Sequence, residues 1–388
     1  MKVRVALDAQ SLFEAEKTGI GQTIEKIIDH LADIKKNKYQ LNCFSFRNKK
    51  EKWNRLQKYR DMGYETKMCG WFPLGIYRRV WNIIPLPYSW FMGRRTEITQ
   101  FFNYVIPPGV KGKKGVYIYD MVYKAYPETM QTATRDYMER NLKKSFERAD
   151  FIITISEFSK REILKYYNFP AKSIYVVPCG VDLSIYKPDI EQEKIEELKK
   201  KYNIEGDYFL YLGTLEPRKN IPVIIEAYKF LEEIWGKQEN EKLPQLILAG
   251  KSGWEYKEIF ELINRYDMQE NVIFTGYVGE EEKPILINGA ISFLFPSLYE
   301  GFGMPPLEAM ACGTPVIVSN RASLPEIVGK AGSMVEPDDY KSIAYYMKRI
   351  YEDKDYRETK KKQGIERSKL FSWENAAQKL ESIYESLI

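Results

Sequence analysis

Short apolar runs, each followed by a turn and then by apolar positions at helical spacing, recur in two series along this 388-residue chain. That alternation leaves few folds open, because strands with crossover helices between them assemble into a parallel sheet covered on both faces. Residues 3–8 read as a buried strand, and Thr18-Gly19-Ile20-Gly21 as the turn opening a helix with Ile24, Ile27, Ile28 and Leu31 on one face. Runs at 41–46, 116–119, 151–155 and 174–177 continue the first series. Pro188 and the charged helical run 190–202 interrupt it. A second series comes next, with strands at 208–212, 246–249, 272–274, 291–295 and 316–318, then helices at about 338–351, about 355–369 and from Trp373. The chain is longer than one hydrophobic core usually extends, so two α/β domains, each a doubly wound parallel sheet, are expected.

Apolar residues at 44% and charged residues at 29% exclude a disordered or low-complexity chain. The cysteines Cys43, Cys69, Cys179 and Cys312 are widely spaced with no C-x-x-C pair, which argues for reduced core thiols and against a zinc ribbon or disulfide framework. The opening residues lack the apolar stretch of a signal peptide, and no window holds about 18 consecutive apolar residues. A cytoplasmic address is expected, with peripheral attachment to the inner leaflet of a membrane left open. The net charge of +5 hides an asymmetry, since residues 1–180 carry 32 Lys and Arg against 18 Asp and Glu. Either an anionic partner faces the first half or the two halves attract one another.

Two segments carry chemistry. In the first, Tyr211-Leu-Gly213-Thr-Leu-Glu-Pro-Arg218-Lys219-Asn220-Ile-Pro222, a strand ends, Gly213 allows close backbone approach, and a helix begins near Asn220. Arg218 and Lys219 thus stand just ahead of a helix N-terminus, where a planar fork, a point charge and free N–H groups can converge on a diphosphate. An isolated Arg-Lys pair elsewhere would more simply be a solvated turn.

The second segment runs from Phe295 through Glu300-Gly301-Phe302-Gly303-Met304 and Glu308 to Pro315, in the order strand, glycine loop, helix, glycine stop. Seven residues separate Glu300 from Glu308, placing one carboxylate over the strand's C-terminal edge and the other near the first turn of the helix. Ligands of open α/β sheets bind at that edge. Carboxylates only accept hydrogen bonds, so two beside one ligand suit a polyhydroxylated molecule. The plainer reading makes them helix-dipole and capping residues.

Together these segments resemble the retaining glycosyltransferases of the GT-B fold, family 4 (glycosyl transferases group 1), in which a Glu-x7-Glu motif and an Arg-Lys pair bind the donor. The likeness extends to Asp8 with Gly19-Ile20-Gly21, to Ala149-Asp150 through Ser159, to Pro178-Cys-Gly180-Val-Asp182, to Gly250-Lys251, to Phe274-Thr-Gly276-Tyr-Val278 and to Phe371-Ser-Trp373. It is weakest between residues 48 and 100.

The resemblance implies two facing Rossmann-like domains with a deep interdomain cleft. Residues 1–182, joined by a final helix at about 373–388, would form the acceptor-side domain, 183–206 a linker, and 207–372 the donor-binding domain. It implies that Arg218 and Lys219 neutralise a leaving nucleoside diphosphate, that Glu308 holds the ribose and that Glu300 meets the transferred sugar. Gly19, Gly21, Gly213, Gly250, Val278, Gly301, Phe302, Gly303 and Met304 would line the donor. No metal and no further cofactor are implied. Where many relatives carry His-Asp, this chain has Tyr119-Asp120, so Tyr119 and Asp120 join Glu300 as candidate catalytic residues without histidine acid–base chemistry. The only histidine, His30, falls on the first helix as a structural residue.

The expected function is transfer of a mannose- or glucose-type hexose from a nucleoside diphosphate sugar to a glycan or lipid-linked acceptor, with retention of configuration, in cell-surface polysaccharide or glycolipid synthesis. An epimerase or hydrolase of the same fold and a catalytically silent sugar-nucleotide binder are the alternatives. A dinucleotide oxidoreductase is disfavoured because neither first strand leads into G-x-G-x-x-G, and nucleic acid is not among the expected partners. The aromatic and basic stretch 76–95, with Trp81, Trp90 and two arginine pairs, reads either as core packing with a charged rim or as a membrane contact.

Overall fold

A computed structural model describes residues 2–13, 19–34, 36–46, 49–93, 96–235, 242–253 and 257–388, and in it the alternation becomes two parallel sheets. The chain divides into two compact units, one of residues 1–124, 132–180 and 372–388, the other of 125–131 and 181–371.

The first unit holds β1 (Arg4–Asp8), β2 (Lys38–Phe44), β3 (Glu65–Cys69), β4 (Ile98–Phe101), β5 (Lys113–Tyr117), β6 (Phe151–Thr154) and β7 (Ile174–Val176) in the order β3-β2-β1-β4-β5-β6-β7. Every pairing is parallel, and the strand order reverses between β1 and β4. Val5, Ala6 and Leu7 are fully buried because helices cover both faces of β1. The helices Gly19–Ile34 and Trp373–Ser386 pack on one another in this unit.

The second unit holds β8 (Tyr208–Leu212), β9 (Gln245–Ala249), β10 (Val272–Gly276), β11 (Ser292–Phe295), β12 (Val316–Ser319) and β13 (Ser333–Val335), ordered β10-β9-β8-β11-β12-β13. Its order reverses between β8 and β11. The helix Gln192–Tyr202, expected in a linker, is grouped with this unit and packs against the helix Lys283–Asn288. Lys201 pairs with Glu282 there, and Tyr202 Oη donates to Glu282 Oε2 at 2.9 Å.

Three strands lie outside the apolar runs. β3 is a sheet edge whose residues are mostly exposed or half-buried, so it has no need of an apolar run. β4 buries Thr99 and Gln100, and β13 is only three residues long. Among the described residues no helix is long and apolar enough to cross a membrane.

Candidate functional site

In the second unit, both chemical segments leave the C-terminal edge of the sheet at its reversal, where the two neighbouring crossovers run to opposite faces and open a crevice. β8 is buried throughout and is followed by Gly213, whose N–H donates to the Ala249 carbonyl at 2.9 Å. Gly250 passes directly beside it with φ of +140°, and a Cβ there would lie 2.0 Å from the Gly213 oxygen. Only glycine permits that approach. The chain then makes a 3-10 turn at Pro217–Lys219, turns left-handed at Asn220 (φ 58°) and enters the helix Ile221–Trp235. Asparagine tolerates that conformation, and the Asn220 amide ties the turn to the Pro296 and Pro337 carbonyls at 3.3 and 2.6 Å.

The turn presents Arg218 and Lys219 to the loop after β11. Lys219 Nζ donates to Glu300 Oε1 at 2.5 Å and stands 4.8 Å from the centre of the Phe295 ring. Arg218 Nη1 lies 2.9 Å from the same carboxylate oxygen and donates to the Tyr299 carbonyl at 2.6 Å, while Nη2 donates to Glu216 at 2.7 Å. Lys219 and Glu300 are both buried. Burial by itself pushes the Glu300 carboxyl up, but Arg218 and Lys219 overcome it and hold the group down at about 2. Burial and the neighbouring guanidinium lower Lys219, with Glu300 opposing them. The two cations expected to face a diphosphate are therefore already met by the carboxylates of Glu216 and Glu300.

Glu308 has different neighbours. It lies in the second turn of the helix Met304–Ala311, one turn further than the spacing suggests, because the helix begins at Met304 after Gly303 (φ 118°). Burial raises its carboxyl to about 7, Lys283 opposes the rise, Glu280 adds to it, and a hydrogen bond with Tyr186 lowers it slightly. A carboxyl with Tyr186 as its hydrogen-bond partner and one nearby cation is poised between acceptor and donor near neutrality.

The remaining expected residues of this unit fall around the same edge. Gly301 is buried, Phe302 meets Phe371 edge-on at 5.8 Å, Met304 opens its helix, and Val278 is buried just after β10. Three contributors are not marked by any sequence motif. Ser323 Oγ reaches the Glu300 and Phe302 carbonyls at 2.9 and 2.6 Å and shapes the loop, Glu216 braces Arg218, and Tyr186 reaches Glu308. Only Glu216, two residues before Arg218, has a local signal; the others come from distant stretches of chain.

In the first unit, Gly19 and Gly21 form the first turn of the helix Gly19–Ile34, and Thr23 Oγ1 donates to the Gly19 carbonyl at 2.9 Å. Thr18 lies outside the described residues. Among the described residues a side chain at Gly19 would meet nothing within 4 Å. Asp120 lies beyond the end of β5 and accepts from the Val122 N–H at 3.1 Å. The Tyr119 phenol is closed off from solvent, stacked 5.5 Å from Tyr117 and tilted 5.7 Å from Tyr104, and among the described residues no group bonds to it. Burial raises it well above the ordinary phenol range, so it stays protonated.

Known proteins resemble the chain in both units. The model for "Glycosyl transferases group 1" matches residues 194–367, and that for "Glycosyltransferase Family 4" matches residues 104–185. O-antigen chain mannosyltransferase B of Escherichia coli is 38% identical over 253 residues, 65% of this chain and 64% of that one. O-antigen chain mannosyltransferase RfbU of Salmonella typhimurium is 31% identical over 58% of this chain and 57% of its own. The matched region thus spans less than two thirds of these relatives' own length. Among solved structures, Anabaena Alr3699/HepE in complex with UDP and glucose aligns over 100% of both chains with a TM-score of 0.73 at 17% identity. WaaG, a glycosyltransferase involved in lipopolysaccharide biosynthesis, aligns over 98% of this chain and 99% of its own at 0.65 and 14%.

Proposed function

Because this chain belongs to the group 1, family 4 glycosyltransferases and has their GT-B fold, we propose that it transfers a mannose- or glucose-type hexose from a nucleoside diphosphate sugar to a glycan or lipid-linked acceptor, with retention of configuration. The observation that carries this reading is the cluster of half-buried Arg218 with buried Lys219 and Glu300 at the reversal of the second sheet. When the bond between the anomeric carbon and the diphosphate breaks, negative charge grows on the leaving oxygen. Arg218 and Lys219, fixed beforehand by Glu216 and Glu300, meet that charge without reorganising. Glu308 accepts from the ribose hydroxyls, and Glu300 from a hydroxyl of the transferred sugar. The positive charge comes from side chains, so transfer proceeds without a metal ion, and full activity in chelator is the expected result. The names of the relatives support a mannose-type sugar and a role in surface polysaccharide synthesis.

The test is calorimetric. Arg218→Ala should weaken a nucleoside diphosphate by about 1.5–3 kcal/mol while leaving the free nucleoside unchanged; equal losses for both would sink the diphosphate assignment. The sealed Tyr119 phenol favours one second reading, a protein that binds the donor without transferring it. A glycosidic product detected by mass spectrometry excludes it.

The same reading places the enzyme peripherally at an anionic inner leaflet. Ile83 is 81% and Trp90 61% exposed, with Arg78 and Arg79 exposed nearby; Arg94 and Arg95 lie outside the described residues. Each cation near such a surface contributes about 1 kcal/mol, and tryptophan favours the interface. Wild-type protein that fails to float with anionic liposomes at low salt would refute this placement.

A further inference from the structure

The first unit holds a cavity of about 470 Å³ at the N-terminal edge of its sheet, the end opposite to the one where open α/β sheets bind their ligands. Small-molecule sites occupy about 300–1,000 Å³. Lys2 stands just before β1, Asn37 and Lys38 at the start of β2, Glu65 at the start of β3, and Asp61 at the end of the helix Lys49–Asp61. The whole length of β1 separates Lys2 from Asp8, so a ligand here stands apart from the residues at the other edge. The apolar part of the lining is fixed in place. Leu31, Tyr39 and Tyr64 are buried, Tyr64 Oη donates to the Ile28 carbonyl, and the Tyr39 phenol pairs with Glu381 of the last helix.

Two features of this lining lack a counterpart within the protein. Asn37 is buried, its Oδ1 accepts from the Val3 N–H at 2.9 Å and its N–H donates to Glu381 Oε1 at 3.0 Å. Its Nδ2 has no partner among the described residues, an uncommon state for a buried amide donor. The charges around the cavity are also sorted by strand. Lys2 and Lys38 come from the β1 and β2 side, Asp61 and Glu65 from the β3 side, and the C-terminal end of the helix Lys49–Asp61 adds to the negative side. All four charged residues are exposed, and among the described residues none of them forms an ion pair.

We propose that this cavity binds a small zwitterion, with a phosphate or carboxylate and an ammonium group on one short skeleton. The anionic group accepts from the Lys2 and Lys38 ammonium groups and from the Asn37 amide, while the ligand's ammonium donates to Asp61 and Glu65. An anion alone would meet two carboxylates across the cavity, and a cation alone would meet two ammonium groups. A ligand that carries both charges therefore fits where either half is opposed.

The experiment titrates the full chain calorimetrically with phosphoethanolamine, inorganic phosphate and ethanolamine. Phosphoethanolamine should saturate one site with a Kd below about 10 mM, at least about tenfold tighter than either fragment. The surface variants Lys38→Glu and Glu65→Lys should each weaken it at least about fivefold, a loss of about 1 kcal/mol, and Arg218→Ala should leave it unchanged. No saturable binding by wild type, or unchanged binding in both surface variants, overturns the site. Phosphate that binds as tightly as phosphoethanolamine overturns the zwitterion, and loss of binding in Arg218→Ala moves the ligand to the cationic cluster of the second unit and overturns the cavity. Vesicles of phosphatidylethanolamine that capture wild type but not Lys38→Glu support the site and make its ligand a lipid headgroup; binding of free phosphoethanolamine without vesicle capture supports it as a site for a soluble metabolite.

Discussion

Glu300 and Glu308 leave the same strand end, separated by seven residues, and their carboxyls are shifted in opposite directions. Burial pushes both carboxyls up. Two cations within 2.9 Å outweigh it at Glu300, which stays ionised at about 2. Around Glu308, Lys283 is opposed by Glu280 and Tyr186 adds one hydrogen bond, so burial prevails and the group titrates at about 7. A glutamate in such a crevice is thus defined less by its depth than by the number of cations its neighbours bring.

The largest expected effect breaks the ionised side of that pair. Glu300→Ala strands Lys219 beside Arg218 in a buried site, and loss of one member of a buried ion pair costs about 3–5 kcal/mol. Urea denaturation should show it as a lower midpoint with an unchanged slope. An unshifted midpoint would mean that the cluster does not hold the turn in place.

A smaller, pH-dependent effect should appear at Glu308. Its folded value lies above its ordinary 4.5, so its contribution to stability is complete below 4.5 and is lost as pH rises through about 7. Glu308→Gln removes that loss. The variant should therefore be more stable than wild type at pH 8, by on the order of 3 kcal/mol, with the difference gone below about pH 4. If Glu308 faces the ribose as proposed, nucleotide affinity of the wild type should rise from pH 6 to pH 8 as the carboxylate forms, and should rise less in the variant. Glu300 runs the other way, since its depressed value gives stability that is present above 4.5 and falls away only as pH drops toward 2. A Glu308→Gln variant that keeps the wild-type pH slope would erase the contrast between the two carboxyls.

The smallest effect belongs to the neutral counterpart in the first unit. Among the described residues no group bonds to the Tyr119 phenol, so Tyr119→Phe should change stability by less than about 0.5 kcal/mol. A loss of more than about 2 kcal/mol would reveal a buried partner for that hydroxyl.

The alternation of short apolar runs with helical segments is enough to read two doubly wound sheets, since burial on both faces writes itself into consecutive residues. It also marks Arg218, Lys219, Glu300 and Glu308, because turn glycines and helix starts around them obey local backbone rules. The edge strand β3, the polar-cored β4 and the three-residue β13 are not legible, as each departs from an apolar run. That Lys219 and Glu300, 81 positions apart, form one buried ion pair is decided only by the strand order that sets β8 beside β11. The same holds for Glu308, whose neutral leaning comes from burial and from Glu280, against the opposing pull of Lys283 and Tyr186, all three residues arriving from other parts of the chain. Backbone conformation depends on neighbours in sequence, but solvation and charge pairing depend on neighbours in space, and for these carboxyls the second kind set the chemistry.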